Sequence, residues 1–480
     1  MSRFGSTGLA TDARARRRFG GKAARASAAV DGPGRRAGAP RNFGRKAPPM
    51  TAFEGAAGQS RTAGVGQIVL ASLIGTTIEF YDFYIFGTAA ALVFGPLFFP
   101  KSAPETQTLA AYLTFGLAFL ARPVGSFVFG HLGDRIGRKS TLVATMLTMG
   151  LATTLIGALP SYATAGVAAP VMLAALRFLQ GVGLGGEWGG AALVAVENAP
   201  HGRRAWFGMF PQLGPPIGFF IATSLFLALI VAFGEAAFVD WAWRVPFLMS
   251  AALVAIGLYV RASLDETPAF RAALAREARV EVPLATVLKR HLAPLVQGAL
   301  AIVVCYALFY IATVYTLGYG VKTLGMPRTR LLELLCVAVV FMAAATPLSA
   351  ALADRFGRRP VLIVSAVVAA AVGFAMPWLL AQGEGGALVF LSGALGAMGL
   401  TFAPLGALLP ELFPTEVRYT GAAGAYNLGG ILGASFAPSL AQVLEAAGGV
   451  AWVGDYIAAA AAISLLAVLS MRETRDDPAR

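Results

Sequence analysis

Five ionisable side chains, Glu79, Asp82, Arg122, Arg177 and Glu187, stand inside long apolar runs of this sequence. A charge at that depth is costly unless it faces a water-filled cavity or a partner. Glu79 and Asp82 are three residues apart and share one helix face. At helical rise Asp82 lies about 22 Å and Glu79 about 18 Å along the first run from Gln67, and Arg122 about 12 Å from Gly130. The three are therefore expected at neighbouring depths. Two acids beside a guanidinium can exchange a proton against an anion, which is the preferred reading; the alternative is a static ion-paired clamp between helices. Asp82 is taken as the first proton site, with Glu79 and Glu187 as alternatives and Arg122 as the anchor for an anion.

Further polar groups are available to line a cavity. Arg177 and Gln180 lie off the stripe Gly181, Gly185, Gly189, which itself reads as a close helix–helix contact. The run Gly181–Gly186 lacks the lysine of a phosphate-binding loop. Tyr306 and Tyr310 form an i,i+4 pair deep in a later run, as do Tyr315 and Tyr319 nearer its end. Asn427 supplies a possible contact from the second half of the chain. The three histidines fall in separate loops, and no metal or cofactor site is expected.

A second chemistry sits between the runs and occurs twice. Gly130-His131-Leu132-Gly133-Asp134-Arg135-Ile136-Gly137-Arg138-Lys139 reads as a tight, charged turn. Asp354-Arg355-Phe356-Gly357-Arg358-Arg359 repeats its core. Glu197-x-x-Pro200-x-x-x-Arg204 follows the first, and Glu411-x-x-Pro414-x-x-x-Arg418 follows the second. Two motifs repeated in the same order indicate a duplicated half-chain. Asp134 can sit against the positive N-terminal end of the eleventh run near Thr415–Arg418, and Arg138 can pair with Glu197, contacts that belong with the family resemblance given below. By the repeat, Asp354 should meet the start of the fifth run near Arg204, and Arg358 should meet Glu411 or Glu416.

The elements that must position these groups are membrane-spanning helices. The chain is 57% hydrophobic and 13% charged. Its apolar runs are continuous rather than alternating, which argues against an all-β barrel. Twelve spans are predicted: 67–95, 107–129, 140–159, 167–196, 206–232, 244–262, 293–318, 331–353, 360–381, 386–410, 418–444 and 450–471. The fold class is all-α and polytopic, with two pseudo-symmetric six-helix bundles at 67–262 and 293–471. A polar linker, 263–292, joins them, with a short helix expected from Pro268 through Arg279 and a stop at Pro283. A short tail, 472–480, follows. With the N-terminus inside, inner loops and the C-terminal tail hold 18 Lys and Arg against 5 in outer loops. Both termini are therefore expected in the cytoplasm.

The net charge of +13 comes mostly from residues 1–66, with 13 basic residues against Asp12, Asp31 and Glu54. This tail has no apolar run and reads as disordered. Residues 1–49 fit an overlong start, with Met50 the first true residue. The basicity is thus no nucleic-acid face. Cys305 and Cys336 lie inside apolar runs and form no disulfide framework.

Gly130–Lys139 resembles the signature loop of the major facilitator superfamily, and 354–359 its degenerate repeat. Gly75–Phe83, Arg122-Pro-Val-Gly125, Arg177-Phe-Leu-Gln-Gly181, Gly185-Gly-Glu-Trp-Gly-Gly190 and Glu266-Thr-Pro-Ala-Phe270 resemble the metabolite:proton symporter branch, which includes shikimate, α-ketoglutarate, citrate and proline/betaine transporters. The likeness covers about 65–470. It implies two bundles rocking about a central site, with the repeated charged motifs closing the cytoplasmic side. The leading expectation is proton-coupled import of a small carboxylate-bearing metabolite by a monomer in a bacterial inner membrane. An efflux antiporter is the alternative within transport. A membrane sensor lies outside it. An enzyme is not expected, since no nucleophile–base pair is present. The partners are an organic anion or zwitterion, protons and the bilayer.

Overall fold

The computed structural model describes residues 65–136, 138–185, 193, 195–197, 199–200, 202–263 and 283–475. The N-terminal tail, Glu187 and most of the linker lie outside them. So do the side chains of residues 130–136 and 138–140, among them Asp134 and Arg138.

Apolar runs without water to satisfy their backbone must be helical, and the described residues form helices without strands. We number the span helices α1 to α12. In the first half α1 is Val65–Ala89, continued by a π-helical turn, Ala90–Phe94, and Gly95–Phe98. Then come α2 (Pro104–Ile136), α3 (Arg138–Gly157), α4 (Ala168–Leu184), α5 (Arg204–Gln212 and Gly214–Asp240) and α6 (Val245–Ser263). In the second half α7 runs in four pieces: Leu292–Ala301, Val303–Tyr310, a π-helical turn at Ile311–Tyr315, and Thr316–Lys322. It is followed by α8 (Arg328–Phe356), α9 (Arg358–Leu380) and α10 (Gly383–Glu411). Then α11 is Arg418–Gly430, a π-helical turn Ile431–Ser435, and Ala437–Gly448, and α12 is Val450–Ser470. Among the described residues nine helices are long and apolar enough to cross a membrane. The other expected spans correspond to α3, α4 and the segmented α11.

The repeat shows in the packing. Across the midline α2 touches α11, and α8 touches α5, while the π-helical turns of α1 and α7 meet. Each half thus lends one helix to the other's groove. Phe127, Val231, Phe374 and Leu466 are among the large apolar side chains left exposed on the outside, where acyl chains would cover them.

Two local expectations need correction. The charged stretch is no ten-residue turn: α2 runs to Ile136 and α8 to Phe356. In the second half the reversal is concentrated at Gly357, whose φ of 106° favours glycine. Pro283, expected only as a stop, stands at the first position of a short helix, Pro283–Arg290. Its missing N–H costs nothing there. The helix expected from Pro268 to Arg279 lies outside the described residues.

Candidate functional site

Glycines set the geometry of the first half. A methyl at Gly218 of α5 would come within 2.7 Å of the Thr77 carbonyl oxygen, and one at Gly181 of α4 within 2.6 Å of the Ala118 Cα. Helices α1 and α5, and α2 and α4, are thereby drawn backbone to backbone. This close packing leaves one face of α1 and α2 looking toward the second half, and a cavity opens there. It is lined by Glu79, Phe80, Arg122, Leu184, Gly185, Ala423, Tyr426 and Asn427.

Arg122 is 4% exposed. Its guanidinium carbon lies 5.2 Å from the Phe83 ring centroid and 4.8 Å from that of Phe119. The phenols of Tyr306, Tyr310 and Tyr426 gather around it. The Tyr306 and Tyr310 rings stack at 6.3 Å, and Tyr306 meets Tyr426 edge-on at 5.6 Å. Aromatic faces attract a cation but do not saturate its donors, and the Arg122 Nε has no hydrogen-bond partner. A buried guanidinium with a spare donor in a cavity suits a carboxylate.

Asp82 takes a different place. It is fully buried, and its Oδ1 accepts from Ser250 Oγ of α6 at 2.6 Å. Its Oδ2 has no partner. The i,i+3 pair is thus split: Glu79 lines the cavity with Arg122, while Asp82 turns one notch into the bundle.

Arg177 and Gln180, expected on the cavity wall, lie instead inside the first bundle. The Arg177 Nε donates to the Phe115 carbonyl at 3.2 Å, and Nη1 donates to Gln180 Oε1. The rings of Phe83, Phe86 and Phe115 surround its guanidinium at 4.2, 4.1 and 4.9 Å. Gln180 Nε2 donates to the Asp82 carbonyl oxygen at 2.9 Å and to Thr153 at 2.8 Å. The two residues brace Asp82 from behind. Ser250, Thr153 and Ser126 escaped the sequence reading, because a lone hydroxyl in an apolar run carries no hydropathy signal. Glu187 lies outside the described residues.

The end bearing the charged motifs is held by ions. The Asp354 carboxylate accepts from the backbone N–H of Ala205 at 2.9 Å and of Trp206 at 2.8 Å. It caps α5 from the opposite half, where Arg203 supplies no side-chain cap. Arg358 donates to Asp354 at 3.1 Å and to both oxygens of Glu411, at 3.0 and 3.2 Å. Arg204 approaches Glu411 at 3.9 Å, and Arg418 approaches Glu197 at 3.6 Å. Each repeated Glu-x-x-Pro-x-x-x-Arg motif therefore gives its Glu to the Arg of the other. The expected contacts of Asp134 and Arg138 fall on side chains outside the described set.

A strap missing from the sequence reading adds to this layer. Glu473, beyond α12, accepts from the N–H of Arg358 and Arg359, both at 2.9 Å, and Thr474 Oγ1 donates to Glu411 at 2.6 Å. The internal repeat held a signal, since Glu-Thr follows both the sixth and the twelfth span, at Glu266 and Glu473.

The opposite end is closed by neutral and mixed contacts. Tyr112 Oη donates to the Val314 carbonyl at 3.2 Å, Gln442 Nε2 to that of Glu105 at 2.7 Å, and Lys322 Nζ to Thr108. Both ends carry contacts between the halves.

A family model described as "Sugar (and other) transporter" matches residues 68–289 and 286–475. The chain is 51% identical over 416 residues to the inner membrane metabolite transport protein YhjE of Escherichia coli (strain K12), covering 85% of this chain and 94% of that protein. It is 36% identical over 413 residues to the shikimate transporter of the same strain, covering 85% and 94%. In fold it resembles the proton:xylose symporter XylE bound to 6-bromo-6-deoxy-D-glucose, with a TM-score of 0.69 at 16% identity, covering 86% and 96%. Two bundles with a cavity between them, a duplicated charged motif and these relatives agree: the chain belongs to the sugar (and other) transporter family, as a metabolite transporter of the major facilitator superfamily.

Proposed function

We propose that this transporter imports a small carboxylate-bearing metabolite together with protons. The observation that carries the reading is the buried Arg122 guanidinium, with its Nε unpartnered, in the cavity between the halves. Among the described residues the wall is rich in donors: Arg122, the Asn427 amide and the Tyr426 phenol stand against one acid, Glu79. Such a wall favours an acceptor-rich anion or a zwitterion over a neutral sugar.

Asp82 is the proton site of this reading and Glu79 its partner. Asp82 offers a carboxyl oxygen that no neighbour occupies, and an unpaired charge there is costly. A substrate carboxylate at Arg122 adds negative charge beside both acids, so a proton entering with it neutralises the cavity before the halves rock. The motif-bearing end faces the cytoplasm in this reading, from its surplus of Lys and Arg. The monomer is the working unit of this reading, since residues of both halves of one chain line the cavity.

The test uses purified protein in liposomes, with shikimate and other carboxylates as solutes. Accumulation driven by an acid exterior is expected for at least one of them. Uptake of xylose without uptake of any carboxylate, or uptake indifferent to the pH gradient, would overturn the reading.

A further inference from the structure

Asn427 stands where three helices meet. Its Nδ2 donates across the midline to Ser126 Oγ of α2 at 3.3 Å and to the Gly185 carbonyl at 3.5 Å. Ser126 Oγ itself donates to that carbonyl. Gly185 closes α4, and the last carbonyls of a helix have no donor within it. The glycine packing of α2 on α4 brings the serine and the carbonyl together: a methyl at Gly185 would come within 2.8 Å of the Ser126 nitrogen. The first half thus presents a ready pair of acceptors, and the second half sends one amide to it.

The same amide lines the cavity beside Arg122 and Glu79. It lies nine residues along α11 from Arg418, about 14 Å at helical rise. Helix α11 therefore grips the first half at two depths, by the Arg418–Glu197 pair at the mouth and by Asn427 at the cavity. The two bonds of Asn427 are long, hence weak. An ionised acceptor makes hydrogen bonds roughly twice as strong as a neutral carbonyl does.

We infer that Asn427 is a positioning residue that latches the halves at the cavity floor, and that the transported carboxylate releases the latch. The ligand carboxylate at Arg122 takes the Nδ2–H away from Ser126 and Gly185, and the motif-bearing end then opens from the inside. The release step rests on the carboxylate reading of the cavity; the latch itself does not.

The experiment places a single cysteine at Ala423, one turn from Asn427 toward the mouth, in a chain carrying Cys305→Ala and Cys336→Ala. Maleimide labelling then reads the opening. Asn427→Ala should raise the ligand-free labelling rate about 2- to 10-fold, the worth of a lost neutral hydrogen bond. Ser126→Ala should raise it less, and should add little on top of Asn427→Ala, because both act at one latch. A labelling rate unchanged in Asn427→Ala, or effects of the two substitutions that simply multiply, would overturn the latch. The transported carboxylate should speed labelling of the parent and leave Asn427→Ala unaffected; equal acceleration of both overturns the release step. If no carboxylate is transported, the functional reading fails, and the ligand-free rates still decide the latch.

Discussion

Asp354→Asn separates a moving gate from a topology signal. The Asp354 carboxylate satisfies two first-turn N–H groups of α5, at 2.9 and 2.8 Å, from the opposite half. It also accepts from Arg358 within its own half. Only the first two contacts must break when the halves part. An asparagine keeps one acceptor oxygen, but its NH2 faces the second N–H, donor against donor. Hydrogen bonds to a charged group contribute about 1.5–3 kcal/mol, and a charge at a partly buried helix start up to about 2 kcal/mol. These overlap, so a loss of about 2–3 kcal/mol is expected in the closed state alone. That shifts the closed-to-open ratio about 30- to 150-fold. Hydrogen exchange at Ala205 and Trp206 should accelerate by that factor, while amides in the middle of α5 keep their protection. Unchanged exchange at both residues, in a variant that melts at the parent temperature, would refute the gate.

Arg122→Gln should weaken binding of the transported carboxylate about 10-fold or more, read by titrating ligand-induced thermal stabilisation; unaltered affinity would remove Arg122 as the anchor. Asp82→Asn should abolish accumulation driven by a pH gradient and spare solute exchange, since only the proton site is lost. If the Glu79→Gln/Asp82→Asn double variant still concentrates solute as the parent does, Glu187 becomes the candidate. At Glu473, burial pushes the carboxyl up, but the N–H groups of Arg358, Arg359, Arg475 and Thr474 outweigh it and hold the group below the usual carboxylate range. Its contribution is therefore present above the unfolded value of about 4.3 and is lost as pH falls through the lower folded value; Glu473→Gln should melt earlier at pH 7, with the gap closing in acid. Gly181→Val should destabilise by about 1–3 kcal/mol or more, because its side chain enters the Ala118 backbone; a wild-type melting temperature would contradict the α2–α4 packing.

The spans and the doubling of the chain were legible because hydropathy and repeated charged motifs depend only on local sequence. Direction was less so. The three-residue spacing put Glu79 and Asp82 on one face, yet a helix face is broad enough for one to line a cavity and the other to meet Ser250. Arg177 and Gln180 could be placed off the glycine stripe, but not assigned to the bundle interior, because that depends on Phe83, Phe86 and Phe115 arriving from other helices. The π-helical turns of α1, α7 and α11 carry no sequence mark that we can identify.

The repeat is preserved at the motif-bearing end and abandoned at the cavity, and the difference bears on the proposed mechanism. Glu197 and Arg418 mirror Glu411 and Arg204, so separation of the halves breaks two equivalent pairs together. Rocking about a shared axis asks for that symmetry. At the repeat spacing of Asp134 and Asp354, Arg122 would fall on Met342, which is buried and apolar. Among the described residues the first half thus holds the charges of the cavity, Glu79 and Arg122, with Asp82 packed behind them on Ser250. The second half answers with tyrosines and one amide. Proton coupling as proposed above would reach the second bundle through groups that touch both. Among the described residues these include the phenols around Arg122 and the Asn427 amide on Ser126 and Gly185. On that proposal, coupling is a matter of which partner those donors hold.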